Sequence, residues 1–162
     1  MAALGTGDLK DRVQSLLLQA LIQQGDLREA ERVVLALGDL NERPLHERAD
    51  PIAALARIRL LQGRSEEAVR LAGEALHADR AASIGYYSTR AACRLVYAEA
   101  LHASGDLARA RHAIREARDD LLARAGNIED PAYRHSFLTG IAVHVRIIAV
   151  AGDWLGDREG SS

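Results

Sequence analysis

The stretch Leu101–Ala110, which reads Leu-His-Ala-Ser-Gly-Asp-Leu-Ala-Arg-Ala, decides the fold of this chain. An apolar pattern with helical spacing runs into Gly105, and glycine can adopt the left-handed conformation that ends a helix without a Cβ penalty. Asp106 belongs to the residue types that cap the free N–H groups of a new helix. Ala110 is small enough for the second helix to pack closely on the first. The stretch therefore predicts a helix–turn–helix hairpin.

The same design occurs twice earlier in the chain. In the stretch 21–30, Gly25 and Asp26 precede Ala30, and in the stretch 60–68, Gly63 precedes Ser65 and Ala68. The three glycines are separated by 38 and 42 residues. A recurring unit of this length is typical of helical repeat proteins. We therefore expect three hairpins, with Asp26, Ser65 and Asp106 as the helix caps.

The helix boundaries follow from further punctuation. The pairs Asp50-Pro51 and Asp130-Pro131 each place a capping acid before a proline, which indicates two more helix starts. These signals predict a single all-α domain over 8–156 and a flexible tail over 157–162. The hairpins are expected over about 8–37, 51–78 and 86–125, and a final capping helix over 131–155. About seven helices are predicted: 8–24, 27–37, 51–62, 65–78, 86–104, 107–125 and 131–155.

Composition supports helices and argues against several classes of function. Aromatic residues make up 4% of the chain, and alanine and leucine, which have high helix propensity, dominate the apolar residues. The net charge is −2 with both signs interspersed, so no basic patch for nucleic acid is expected. No apolar run approaches the length of a membrane span, and the first residues lack the pattern of a secretory signal. We expect a cytoplasmic protein without direct nucleic-acid or membrane binding.

No motif for catalysis, cofactor binding or metal binding is present. The chain lacks a phosphate-binding Gly-x-x-x-x-Gly-Lys loop, a Gly-x-Ser-x-Gly elbow, a His-Glu-x-x-His helix and a Cys-x-x-Cys pair. Cys93 is the only cysteine and is expected to be a small buried residue. The six histidines are spread over several predicted elements and lack metal-ligand spacing. We therefore expect a protein that is not an enzyme and holds no cofactor or metal.

The junctions Gly25-Asp26 with Ala30, Gly63-Arg64 with Ala68 and Gly105-Asp106 with Ala110 resemble the tetratricopeptide repeat family. The large aromatic residue that this family places early in its first helix is missing, and the repeat is longer than is usual there. The sequence is nearer to the long-repeat arrays of bacterial signalling and transcription-regulator proteins, and residues 91–156 look like their closing segment. The resemblance implies antiparallel hairpins stacked as a right-handed α-solenoid.

The resemblance also implies a function and a binding surface. In the family, the first helix of each repeat lines a groove that receives a protein segment, which makes the chain an interaction module or scaffold. The alternative is the regulatory C-terminal region of a bacterial transcription regulator or of a signalling kinase, cyclase or ATPase, acting on an effector domain that this chain does not contain. A homodimer formed through Leu9 and Val13 is also left open. The groove residues carried over from the family are Arg12, Gln19, Gln23, Arg57, Leu61, Glu99 and His102.

The final helix is expected to close the stack. As a cap it should turn one polar face to water, for which Arg134, His135, Thr139, His144 and Arg146 are the candidates. Trp154 is expected to dock back onto the preceding helices.

Overall fold

The computed structural model describes residues 6–82 and 87–156, and within these ranges the chain is all-α, as predicted, with no strand. The tail predicted over 157–162 lies outside the described residues. The described part contains eight α-helices rather than about seven, and one short 3-10 turn at Leu40–Glu42. The helices are α1 (Thr6–Gln24), α2 (Leu27–Leu35), α3 (Leu45–Leu61), α4 (Ser65–Ala81), α5 (Tyr87–Ala103), α6 (Leu107–Gly126), α7 (Pro131–Thr139) and α8 (Ala142–Leu155).

The three glycine junctions share one local geometry. The glycines at 25, 63 and 105 have positive φ angles of 79°, 77° and 89°. At each junction the N–H after the glycine donates to the carbonyl oxygen five residues earlier, as Asp106 does to Leu101 at 3.0 Å. This bond satisfies a carbonyl group that the end of the helix would otherwise leave free. Short turns of this kind end α1, α3 and α5 and start α2, α4 and α6.

The alanines of the junctions pack where they were expected to. Ala30, Ala68 and Ala110 are each fully buried. The caps fit the sequence at two junctions, where the carboxylates of Asp26 and Asp106 accept the N–H groups of Glu29 and Arg109 at 3.2 Å. At the middle junction the prediction was wrong. There the cap position is held by Arg64, without a side-chain hydrogen bond, and Ser65 is the first residue of α4.

Replacing Gly105 by alanine tests the junction geometry. At a φ of 89° an added Cβ meets no neighbouring atom within 4 Å, so the cost comes from the left-handed backbone alone. We expect the free energy of unfolding, measured by urea denaturation, to fall by about 1–2 kcal/mol. Gly126→Ala is the matched control, because Gly126 is the last residue of α6, has open space and lacks a positive φ. Equal effects of the two substitutions would contradict this account.

Helix α3 begins earlier than the sequence indicated. The start predicted at Pro51 is wrong, since α3 begins at Leu45 after Pro44 and passes through Pro51. The guanidinium group of Arg48 donates to the carbonyl oxygens of Asn41 and Arg43, which ties the first turn of α3 to the preceding segment. Pro51 is buried, so its ring contributes to packing although it has no N–H to donate along the helix.

The predicted final helix over 131–155 is divided into α7 and α8, which are bent by 78°. Ile141, between them, is extended with φ −112° and ψ 117°. In an unbroken helix its N–H would donate to the carbonyl oxygen of Phe137. Instead the Nδ1–H of His144 donates to that oxygen at 2.8 Å, and the His144 ring is 1% exposed. The side chain therefore replaces the backbone bond that the break removes, and the prediction of an outward-facing His144 is wrong.

The helices pack mainly on their neighbours along the chain. α3 contacts α4, α4 contacts α5, and α5 contacts α6, while α3 also touches α1 and α5. α8 packs on both α5 and α6, so it closes the C-terminal half of the core. Alanine is the most common of the buried apolar residues, and a few larger side chains are also at full burial: Val34, Ile58, Leu101, Ile114, Leu121 and Ile147.

No single helix in the described ranges is both long and apolar enough to cross a membrane. The bent pair α7 and α8 passes the same test only when the two are taken together. The buried face of α8, with Ile147, Val150 and Ala151, is packed in the core of this chain.

Candidate functional site

Side-chain bonds link α1 to α3, α3 to α5 and α5 to α8. We call the residues of these bonds, Ser15, Asp50, Arg57, Glu99 and Arg146, together with the predicted groove residues of α1, α3 and α5, the helix-A face. The residues six positions before the three glycines are Gln19, Arg57 and Glu99. Arg57 on α3 forms an ion pair with Glu99 on α5. Their contact shows that positions of equal phase on these two helices are spatial neighbours.

Glu99 is the centre of a three-residue ionic cluster. Arg146 of α8 reaches the other carboxylate oxygen from its Nε at 2.9 Å. Glu99 is only 8% exposed, whereas the side chains of Arg57 and Arg146 are 34% and 58% exposed. The carboxylate is therefore held inside while both guanidinium groups reach solvent. One carboxylate between two guanidinium groups leaves the cluster with one positive charge.

The helix-A face continues onto α1. The hydroxyl of Ser15 donates to the carboxylate of Asp50 on α3 at 2.8 Å, which joins the two helices. The predicted groove residues Arg12, Gln19 and Gln23 are all exposed on α1. They are free to contact a ligand, but the structure does not bring them into the ionic cluster.

At the other end of the face, His102 of α5 stacks on Trp154 of α8. The two ring centroids are 4.3 Å apart and the planes differ by 7°. Trp154 thus docks on the preceding helices, as predicted. A cavity of about 140 Å³ lies beside the stacked rings and is lined by His102, Leu107, Arg111, Asp153 and Trp154. The predicted groove residue Leu61 is exposed at the end of α3, one turn beyond Arg57.

A second ionic cluster is centred on the buried side chain of Arg59 and links α2, α3 and α4. Arg59 is 7% exposed and donates to Glu31 at 2.6 Å, to Glu67 at 3.1 Å and to Gln62 at 3.0 Å. The hydrogen bonds from Arg59 lower the pKa of Glu31 from its ordinary value, against the opposing effect of burial. Since Arg59 is enclosed by its own partners, this cluster holds helices together and is not available to a ligand.

The lone thiol is inert. Cys93 is fully buried, as predicted, and its Sγ lies 3.9 Å from the carbonyl oxygen of Ala49. Burial raises the pKa of the thiol, and the negative charges of Asp79 and Asp50 add to the effect. The group therefore stays protonated and does not act as a nucleophile. Within the described residues, no three His, Cys, Asp or Glu side chains converge to hold a metal ion.

A further cavity, of about 410 Å³, lies between α3, α4 and the segment before α3. Two of its cationic side chains already have partners in the protein. Arg48 is bound to backbone carbonyl oxygens, and Arg70 is paired with Glu74 at 2.5 Å. None of the residues of the helix-A face lines this cavity.

Sequence reasoning missed Arg146 as a member of the site. It was assigned to the solvent side of one long capping helix. The break at Ile141 changes the direction of α8 and brings Arg146 to Glu99. The signal available in the sequence was the pair Gly140-Ile141, since a glycine before a β-branched residue weakens a helix at that point.

Comparison of the chain with models of protein families, with curated proteins and with solved structures gives no significant match.

Proposed function

We propose that this chain is a non-catalytic interaction module that binds a protein segment along its helix-A face. The observation that carries the proposal is the cluster Arg57–Glu99–Arg146, which joins three helices into one polar surface. A buried carboxylate costs free energy unless it is paired, and here it fixes two exposed guanidinium groups in place. Prepositioned cations reduce the entropy lost when a ligand is bound.

The tetratricopeptide-like architecture is part of the same proposal. It is supported by the left-handed glycines at three junctions, the buried alanines that follow them and the contacts of α3 with both α1 and α5. In such an arrangement the first helices of successive hairpins line one surface. This surface could bind a segment of another protein, or it could bind an effector domain of the same polypeptide.

A photo-crosslinker tests the surface directly. p-Benzoylphenylalanine placed at Gln19 or Gln23, both exposed on the helix-A face, is expected to capture one discrete protein in the native cell. The same group at Arg28, exposed on α2, is the matched control and should capture little of it. Once the captured protein is identified, its affinity for the chain without the crosslinker can be measured. Arg146→Gln should weaken that affinity about tenfold, which corresponds to the loss of about 1.4 kcal/mol.

Two outcomes would contradict this proposal. The captured protein would be equally abundant from Gln19 and Arg28, or Arg146→Gln would leave the affinity unchanged while Arg28→Gln lowered it. Arg146 is more than half exposed, so its substitution is expected to leave the fold intact.

A further inference from the structure

The outer side of α1 carries an apolar strip that nothing in the described chain covers. Leu9, Val13 and Leu16 are 65%, 56% and 66% exposed, and Ala20 is exposed at the end of the same strip. The strip lies on the side of α1 opposite Leu18, which is buried. Contiguous exposed apolar surface of this kind marks interaction sites.

The molecule itself shows what covers such a strip. Val13, Leu16 and Ala20 lie twelve, nine and five residues before Gly25. The residues at the same distances before Gly63 are 51, 54 and 58 on α3, and those before Gly105 are 93, 96 and 100 on α5. Ile58, Cys93 and Ala100 are fully buried, and Val96 is 4% exposed. On α3, Ala54 and Ile58 pack with residues of α1 and α2. On α5, Cys93 and Val96 pack with residues of α3 and α4. The strip on α1 is therefore the kind of surface that another helix of this fold covers.

The other end of the molecule carries a strip with the same spacing. Ile141, Val145 and Ile148 are 39%, 44% and 39% exposed, and they are followed by Gly152. This strip faces away from Ile147, which is fully buried against α5 and α6. Both strips are spaced by four, three and four residues. A Cβ added at Gly152 would meet no atom within 4 Å, so the backbone of α8 is open to close approach there.

We propose that copies of this chain associate head to tail, with the α1 strip of one copy packed on the α8 strip of the next. The identical spacing places Leu9 beside Ile141, Val13 beside Val145 and Leu16 beside Ile148. Ala20 then meets Gly152, which puts the two smallest residues together where the backbones approach most closely. Contact between two helices that are not consecutive in the chain is also present within one copy, where α3 packs on α5.

A heterologous contact of this kind does not close on itself, so it generates growing chains of copies rather than a symmetric dimer. Each strip covers about three helical turns, so we expect the contact to bury less surface than a standard stable interface. The association is therefore weak and depends on concentration. It uses surfaces separate from the cluster of Arg57, Glu99 and Arg146 and goes beyond the proposed ligand binding.

Sedimentation velocity of the full chain over a concentration series tests the proposal. The wild-type mass is expected to rise above the 17.6 kDa of one chain as concentration increases. Leu16→Glu and Ile148→Glu should each remain at the mass of one chain. An equimolar mixture of the two variants should form a dimer that grows no further. The Leu16→Glu variant retains an intact α8 strip and the Ile148→Glu variant an intact α1 strip, so only one contact can form. Leu35→Glu makes the same change at a leucine that is 62% exposed on α2, outside both strips, and should behave as the wild type.

The proposal is overturned if the wild-type chain keeps the mass of one copy at the highest concentration that stays in solution. It is also overturned if Leu16→Glu abolishes association and Ile148→Glu does not, since that result indicates a symmetric contact between two α1 helices. Circular dichroism of each variant distinguishes loss of association from loss of fold. Both substituted side chains are well exposed, so the helical signal is expected to be retained.

Discussion

The Ile147→Ala variant is expected to lose about 3–4 kcal/mol of the free energy of unfolding. Ile147 is fully buried in the cluster that joins α8 to α5 and α6, where it meets Leu101, Ile114 and Leu121. Deleting three carbon atoms there removes apolar surface from burial and leaves a cavity that neighbouring helices fill only in part. Urea denaturation followed by circular dichroism measures the loss.

Ile148→Ala is a control of the same residue type on the same helix. Ile148 is 39% exposed, so its truncation should cost less than about 1 kcal/mol in a dilute solution of single chains. If the two variants lost equal stability, α8 would not be docked through the face that the structure shows. A difference of several kcal/mol between neighbouring isoleucines is therefore a direct measurement of the orientation of α8.

The Arg59→Met variant is expected to lose about 2–3 kcal/mol and to change the response to acid. Methionine retains much of the apolar stem of arginine but leaves Glu31 and Glu67 without their shared cation. The side chains of these two acids are 27% and 29% exposed, so water offsets part of the cost. Exposed Arg32, paired with Glu29 at 2.9 Å, provides the control, since Arg32→Met should cost under about 1 kcal/mol.

The pH dependence follows from the lowered pKa of Glu31. A carboxyl group with a depressed pKa in the folded state adds stability that is complete above its unfolded value, near 4.5, and is lost as the pH falls through the folded value. The wild type should therefore lose stability as the pH drops below about 4.5, and Arg59→Met should lose less over the same range. Parallel pH profiles for the two proteins would show that this cluster does not couple folding to protonation.

Local chemistry explains what the sequence could predict. The three junctions depend on a glycine and on the alanine five positions later, so all the information lies within ten residues. Asp130 before Pro131 was predicted to start a helix for the same reason, and its carboxylate does accept the N–H groups of Ala132 and Tyr133. Arg57 and Glu99 each lie six residues before the glycine of their junction, so the sequence predicts that they occupy equivalent positions. In the structure the two side chains form an ion pair.

The errors at Pro51 and in the final helix arose where a side chain bonds to a backbone carbonyl oxygen several residues away. The pairs Pro44-Leu45 and Asp50-Pro51 both resemble helix starts. The helix begins at the first pair, where Arg48 donates hydrogen bonds to the carbonyl oxygens of Asn41 and Arg43. The break before α8 depends on His144 replacing a backbone donor to Phe137. The cluster around Arg59 joins residues 28 positions apart, so no local pattern reveals it.

The stacked pair His102 and Trp154 gives the protein an internal optical probe. Trp154 is the only tryptophan of the chain, so its fluorescence emission reports on one place alone, the contact between the ends of α5 and α8. Undocking of α8 would move the indole into water and shift the emission to longer wavelength. A ligand that contacts His102 or Trp154 would alter the same signal without any attached dye.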